Sequence, residues 1–327
     1  MADQPLCSIV IRAYNEEEHI GRLLAGIMQQ ELDDFEIIVV DSGSTDATVS
    51  IASRFPTKII HIEPENFTFG RSLNMGCKAA SGTFLVFASA HVYPLYTDWL
   101  SNLLEPFEDP SIALVYGKQR GTKETRYSEH QQFARMFPEE SSIPQNHPLC
   151  NNANAAIRSE LWEQHQFDES LSGLEDLEWA TWAIDQDFFL AYTAKAEVIH
   201  IHTETPKQVY RRYRREAIAL AQIRPEEGFS LIDFLRLYLS NVRRDLHQAI
   251  LDRQLFEALW EVLWFRWMQF MGTYAGFRHA GPVTDEVIQA FYYPNDVARP
   301  IRDDSRGREA IDYSKSGHRD LRAEEHD

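Results

Sequence analysis

Short apolar runs alternate with stretches whose apolar side chains recur every three or four positions, and this alternation dominates the first third of the chain. Cys7 to Ile11 predicts a strand. After Asn15, which can cap a helix, Ile20, Leu23, Leu24, Ile27 and Met28 fall on one helical face. Glu36 to Val40 predicts a second buried strand, ending in the turn-rich loop Asp41-Ser42-Gly43-Ser44-Thr45-Asp46 and a short helical stretch through Val49 and Ala52. Lys58 to Ile62 and Thr83 to Ala88 predict further strands, with a small-residue helix from Arg71 to Ala80 between them. Strands and helices in this order imply an α/β fold with a mostly parallel central sheet flanked by helices. Ligands are then expected at the carboxyl ends of the strands, where Tyr14, Asp41 and Ser89-Ala90-His91 fall.

Further along, Ile112 to Gly117 reads as a strand, and Gly121 to Pro148 is polar and aromatic without clear periodicity, a long loop with helical pieces over a site. Leu161 to His165 and Asp176 to Ile184 read as helical, Phe188 to Tyr192 and Ala196 to His200 as extended. From Pro206 to about Ala280 the pattern is helical, first basic and then rich in Leu, Phe and Trp; about half the residues after Arg299 are charged and few can form a core. The expected division is an α/β domain over 1–205, a helical extension over 206–283 and a charged, poorly ordered tail over 284–327.

Composition narrows the class. With 50 Asp plus Glu against 32 Lys plus Arg, the 327-residue chain has a formal charge of −18, which excludes binding to nucleic acid through a global basic field. Three scattered cysteines, Cys7, Cys77 and Cys150, suit a reducing compartment better than a disulfide framework. The amino terminus has no signal-peptide pattern, and Glu257, Glu261 and Arg266 interrupt the most hydrophobic late segment, so a cytoplasmic protein is expected. Peripheral contact at the inner membrane face stays open. The stripe from Leu255 to Phe277, with Trp260, Trp264 and Trp267, is more often helical core or a homodimer contact than a membrane anchor.

The densest chemistry lies at the strand ends. Asp41 and the small-residue loop after it can receive a base N–H and ribose hydroxyls, or can simply cap the following helix; the residue types fit both. The runs Ile9-Val10-Ile11-Arg12-Ala13-Tyr14-Asn15-Glu16, Ile37 to Asp46, Arg71 to Gly76, Asn151 to Arg158, Phe167-Asp168-Glu169, Glu175-Asp176 and His200-Ile201-His202 together resemble the inverting family 2 glycosyltransferases of GT-A fold. Within that family the likeness is to bacterial rhamnosyltransferase-like members that decorate surface polysaccharides. The resemblance spans about two thirds of the chain.

The resemblance implies a nucleotide diphospho-sugar donor bordered by Ala13, Tyr14, Glu16 and Asp41, with Arg71 near the diphosphate. It also implies Asp176 as general base on the acceptor hydroxyl and Glu175 beside it, although an acidic pair suits any helix amino terminus. The implied reaction is transfer of one sugar, with inversion, to a hydroxyl of a saccharide or lipid-linked acceptor. A retaining transferase, a nucleotidyltransferase or a non-catalytic nucleotide-sugar-binding module are the alternatives. The departure is at the metal motif, where Ser89-Ala90-His91 stands in place of Asp-x-Asp. His91, with His200 and His202 in the segment where the family places a metal-binding histidine, is the candidate ligand set for a divalent metal, Mn or Mg. Gln208 to Tyr213 partly resembles the Gln-x-x-Arg-Trp motif of processive members, but Arg212 stands where Trp belongs; the arginines there can meet a diphosphate or form a solvated face.

Overall fold

The computed structural model describes residues 4–63, 66–202, 204–278, 311 and 313. The first half follows the predicted alternation: β1 (Cys7–Ala13), α1 (Ile20–Ile27), β2 (Phe35–Asp41), α2 (Thr48–Ala52), β3 (Thr57–His61), α3 (Phe69–Ala79) and β4 (Phe84–Ser89). The four strands pair in parallel in the order β3-β2-β1-β4. Their apolar runs are continuous because both faces are covered, which is what parallel sheets require. Ile9, Ile11, Ile37 and Val39 pack on the α1 side with Leu23, Leu24 and Trp99, and Val10, Ile38 and Val40 pack on the α3 side with Leu73 and Cys77.

Beyond β4 the sheet changes character. The next elements are β5 (Val92–Pro94), α4 (Trp99–Leu104), β6 (Ile112–Arg120), α5 (Tyr127–Met136), β7 (Ser142–Gln145), β8 (Asn154–Arg158), α6 (Ser159–Gln164), α7 (Glu175–Asp185) and β9 (Phe189–His200). Strand β8 runs antiparallel between β4 and β6, β6 pairs in parallel with β9, and β5 and β7 both add antiparallel to β9. The parallel pairing predicted by the alternation therefore holds for the amino-terminal half, and the other half is mixed. Two extended segments predicted near 188–200 form the single strand β9. Thr193 pairs with Gly117, and the Ala194 N–H donates to Ser141 Oγ, so the strand continues through its polar interruption.

The 121–148 stretch contains α5, which lacked a helical signature because its polar residues face inward. Glu129 is buried and Gln132 accepts the Tyr213 hydroxyl, so burial here does not follow hydrophobicity. Helices α8 (Pro206–Ile223), α9 (Leu231–Leu251) and α10 (Leu255–Phe277) form the extension. Helices α8 and α9 each begin with a capping box, from Thr205 with Gln208 and from Ser230 with Asp233, which fixes their starts. Gly272 and Gly276 let α10 approach α8, since an added Cβ would meet the Tyr210 carbonyl at 2.4 Å and the Ala217 side chain at 2.6 Å. Among the described residues no helix is long and apolar enough to cross a membrane. The expected tail, 284–327, lies outside the described residues except for Ile311 and Tyr313. The Ile311 N–H donates to the Leu95 carbonyl and the Tyr313 hydroxyl to the Pro94 carbonyl, so these two residues sit against β5.

Asn154 ties the two halves of the sheet together. Its side-chain oxygen accepts from Trp99 Nε1 at 2.9 Å, and its amide donates to the carbonyls of Lys118 at 3.2 Å and Ala196 at 2.8 Å. All of this is buried, so truncation leaves a donor and two acceptors without partners. Asn154→Ala should lower stability by about 2–4 kcal/mol, read as a drop in the urea midpoint with an unchanged slope.

Candidate active site

An open cleft of about 490 Å³ lies over the carboxyl ends of the strands and is lined by residues from both halves of the sheet and from α8, among them Arg12, Glu16, His91, Asp176, His202 and Arg215. A smaller enclosed cavity of about 110 Å³ adjoins it, sharing Asp176, His200, His202 and Arg212 with the cleft, and its inner wall includes Phe133, Met136 and Leu149.

Antiparallel pairing of β5 with β9 sets Val92 opposite His200, which brings His91 beside the end of β9. The β6–β9 register shifts between Gly117 and Gln119, and the Gln119 side chain reaches His200 beyond that irregularity. Only glycine fits at 117, because a Cβ there would lie 2.2 Å from the Ala196 carbonyl oxygen. The His200 and His202 ring centroids lie 4.1 Å apart and those of His91 and His200 5.0 Å apart.

Each ring is held by its Nδ1: His91 to Glu16 Oε1 at 2.8 Å, His200 to Gln119 Oε1 at 2.7 Å and His202 to Glu129 Oε1 at 2.7 Å. Acceptors at every Nδ1 fix the proton there and leave each Nε2 with its lone pair. The His200 Nε2 is buried and has no hydrogen-bond partner among the described residues. Burial first, then the neighbouring cations and imidazoles, holds His200 and His202 well below the ordinary histidine value, so both rings are neutral. One ring nitrogen from each of the three lies within 4.8 Å of the others. Three imidazoles, each with its Nδ1 on an acceptor and two of them held neutral, fit a divalent ion that accepts nitrogen ligands.

Glu175 and Asp176 open α7, and Leu174 before them takes a left-handed conformation with φ of 58°. A leucine there is strained, and strain of this kind is held in place by the surrounding structure. Arg12, at the end of β1, donates to Glu175 Oε1 at 3.1 Å. Asp176 accepts the backbone N–H of Asn152 at 3.1 Å and of Leu177 at 2.9 Å. Burial, then the neighbouring Glu175 carboxylate, raises the Asp176 carboxyl to about 7.

The remaining expected residues divide. Ala13 is buried and Tyr14 exposed where β1 ends, and the following Asn15 and Glu16 N–H groups donate to Ser44 Oγ and Thr48 Oγ1. Asp41 is buried, accepts the N–H groups of Gly43 and Ser44, and lies 3.3 Å from His61 Nδ1, so it also organises its own loop. Glu16 reaches the cleft, where it holds His91.

Arg71 does not line the cleft. Its Nε donates to Glu169 at 2.8 Å and its Nη1 to the Asn66 carbonyl at 3.0 Å, while Asn74 holds the Phe167 carbonyl at 2.9 Å. The Arg71 to Gly76 run thus clamps the turn at 167–169, a role that sequence alone does not separate from ligand contact. The cations that do line the cleft are Arg12 and Arg215, at 5.0 Å and 4.5 Å from the Phe69 ring, together with Arg212, which pairs with Glu129 and Glu204. Arg12 had a signal, a lone charge at the end of an apolar central strand. Asn152, whose buried side-chain amide lines the cleft without a partner among the described residues, had none beyond its motif.

A family model described as glycosyl transferase family 2 matches residues 8–165. The O-antigen chain rhamnosyltransferase RfbN of Salmonella typhimurium is 30% identical over 221 residues, covering 63% of this chain and 69% of that protein. The glycosyltransferase AglE of Haloferax volcanii is 28% identical over 215 residues, covering 62% and 68%. In fold, the chain is similar to a mannosyltransferase from Pyrobaculum calidifontis solved with GDP-Man and Mn²⁺, with a TM-score of 0.57 at 20% identity over 84% of this chain and 87% of that one.

The Nδ1 contacts carry a testable consequence. His202→Ala should abolish calorimetrically detected Mn²⁺ binding measured with a nucleoside diphosphate present. Glu129→Gln, which keeps the shape but weakens the orienting contact, should lower Mn²⁺ affinity about 10–100-fold.

Proposed function

The chain belongs to glycosyl transferase family 2, and from that premise we propose that it moves one sugar from a nucleotide diphospho-sugar to a hydroxyl of a saccharide or lipid-linked acceptor, with inversion at the anomeric carbon. The observation that carries this reading is the Asp176 carboxyl, raised towards neutrality on the wall of a cleft that also holds cationic side chains and three oriented imidazoles. The names of the O-antigen relatives support a setting in polysaccharide assembly, and a nucleotide-sugar donor suits a cytoplasmic one.

In this mechanism the acceptor hydroxyl gives its proton to Asp176 as its oxygen attacks the anomeric carbon. The bond from that carbon to the diphosphate oxygen breaks on the opposite side, and the nucleoside diphosphate departs with the bonding pair. Glu175 does not take the proton, since Arg12 holds it; its charge raises the basicity of Asp176 and fixes the turn. Arg215 faces the departing charge, assisted by Arg12, in place of Arg71. A divalent ion held by His91, His200 and His202 would supply further neutralisation of the diphosphate. Asp41, Ala13 and Tyr14 border the nucleoside, with Asp41 accepting a base N–H. Residues 1–205 then form the catalytic unit, with α8 of the 206–283 extension lending its arginines to the cleft.

The primary test is release of nucleoside diphosphate from a panel of nucleotide-sugars with saccharide acceptors, and the anomer of the product by NMR. A retained anomer overturns inversion, and no turnover on any pair favours a binding module.

Asp176→Asn should lower kcat about 10²–10⁴-fold with donor affinity nearly unchanged. The base works only when deprotonated, so with its pKa raised to about 7 the wild-type rate should climb as pH rises through that value and level off above it. Glu175→Gln removes the charge that helps raise it, so the same limb should move to lower pH. Among the arginines, Arg215→Ala should reduce turnover by about tenfold or more, whereas Arg71→Ala should act mainly on thermal stability.

A further inference from the structure

The hairpin of α9 and α10 buries an apolar core, Phe234, Leu237, Val262, Phe265 and Phe270 among it, that also encloses a polar network. Its interior holds Arg266, Asp245, Gln269 and Asn241, all buried. Arg266 donates to Asp245 at 2.7 Å, to Gln269 at 2.7 Å and to the Ser128 carbonyl at 3.0 Å. Its outer side carries Ile232, Leu239, Leu251, Phe256 and Trp260, from 63% to 93% exposed. These residues return at helical spacing, Ile232, Leu235 and Leu239 along α9 and Phe256 and Trp260 along α10, so they form stripes and not scattered single residues.

Charge decides what covers this side. Arg236, Arg243, Arg244 and Arg253 are exposed along α9 and at the hairpin tip. Of the carboxylates nearby, Asp233 is engaged by Ser230 and Arg236, and Asp252 by Tyr127 and Gln248, while Glu257 is exposed. Four arginines against these three carboxylates leave an apolar face that is slightly positive on a chain of net charge −18. A second copy seated across a two-fold axis would bring this arginine-bearing face against itself, and an acidic nucleic acid would have no use for exposed Phe and Leu. An anionic bilayer satisfies both features, with phosphate headgroups for the guanidinium groups and the acyl boundary for Phe256 and Trp260.

We propose that the outer face of α9 and α10 docks on a membrane surface bearing anionic headgroups, lying in the interface without spanning it. Glu261 on α10 accepts the N–H groups of Tyr127 at 2.7 Å and Ser128 at 3.2 Å, at the start of the helix whose Glu129 holds His202. The docking face is thereby rigidly joined to the cleft, and a docked molecule presents that cleft in one fixed orientation. Docking is independent of the chemistry in the cleft, so its test stands whether or not the proposed transfer does.

The experiment is flotation of the full-length purified chain with phosphatidylcholine vesicles, with and without phosphatidylglycerol. The chain should float with the anionic vesicles only, and less at high salt. Phe256→Ser combined with Trp260→Ser, and separately Arg243→Glu combined with Arg253→Glu, should each reduce flotation about tenfold or more, with circular dichroism melting unchanged. Absence of flotation with anionic vesicles, or flotation that both variants retain, overturns the proposal. So does a concentration-dependent dimer in sedimentation velocity that the Phe256 and Trp260 variant dissociates, because the face then belongs to a second copy.

Discussion

The Arg12 to Glu175 pair joins the donor-side strands to the helix that carries the candidate base, and the cleft depends on it. Glu175 is nearly fully buried, and burying a charged group is costly unless a partner of opposite charge meets it. Arg12 provides that partner from one residue before the end of β1, next to Ala13, which makes the strand's last pairing with Asp41. The contact fixes the first turn of α7, where strained Leu174 turns the chain so that Asp176 faces the cleft and Glu175 faces the arginine. Two adjacent carboxyl groups with different partners acquire different chemistry. One is neutralised by a guanidinium, while the other has only backbone N–H donors and is pushed up by burial and by its neighbour.

The imidazole side of the cleft is organised by a comparable outer layer. Glu16 from the β1 end, Gln119 from beyond the β6 irregularity and Glu129 from α5 each take one Nδ1, so three elements distant in sequence determine where three lone pairs point. Glu129 also accepts from Arg212 on α8, which links the imidazoles to the helical extension. The extension is therefore part of the site. Its arginines line the cleft, and its buried Arg266 grips the Ser128 carbonyl beside Glu129. Polar residues that would be poor choices for a stable helical core are placed inside because they hold α5 in position.

Length, patterning and ordered motifs decide most of the fold from the sequence alone. The parallel strands β1 to β4 and their helices are local: each is a continuous apolar run or a single helical face, and only the step from β3 to β4 crosses to the far side of β1. The motif order likewise identifies the family, and Glu175, Asp176, His91, His200 and His202 all line one cleft. Tertiary structure decided the rest, for one physical reason: a polar side chain is assigned its role by the partner it meets, and that partner is set by which distant elements converge. Arg71 meets Glu169 and leaves the cleft, whereas Arg215 stacks on the Phe69 ring and stays in it. Helix α5 has no readable period because its inward face is polar, and the outward apolar face of α9 and α10 looks in sequence like an ordinary core stripe. Periodicity measures which residues avoid or seek water on average, and it does not separate an apolar stripe packed in the core from one left on an outer face.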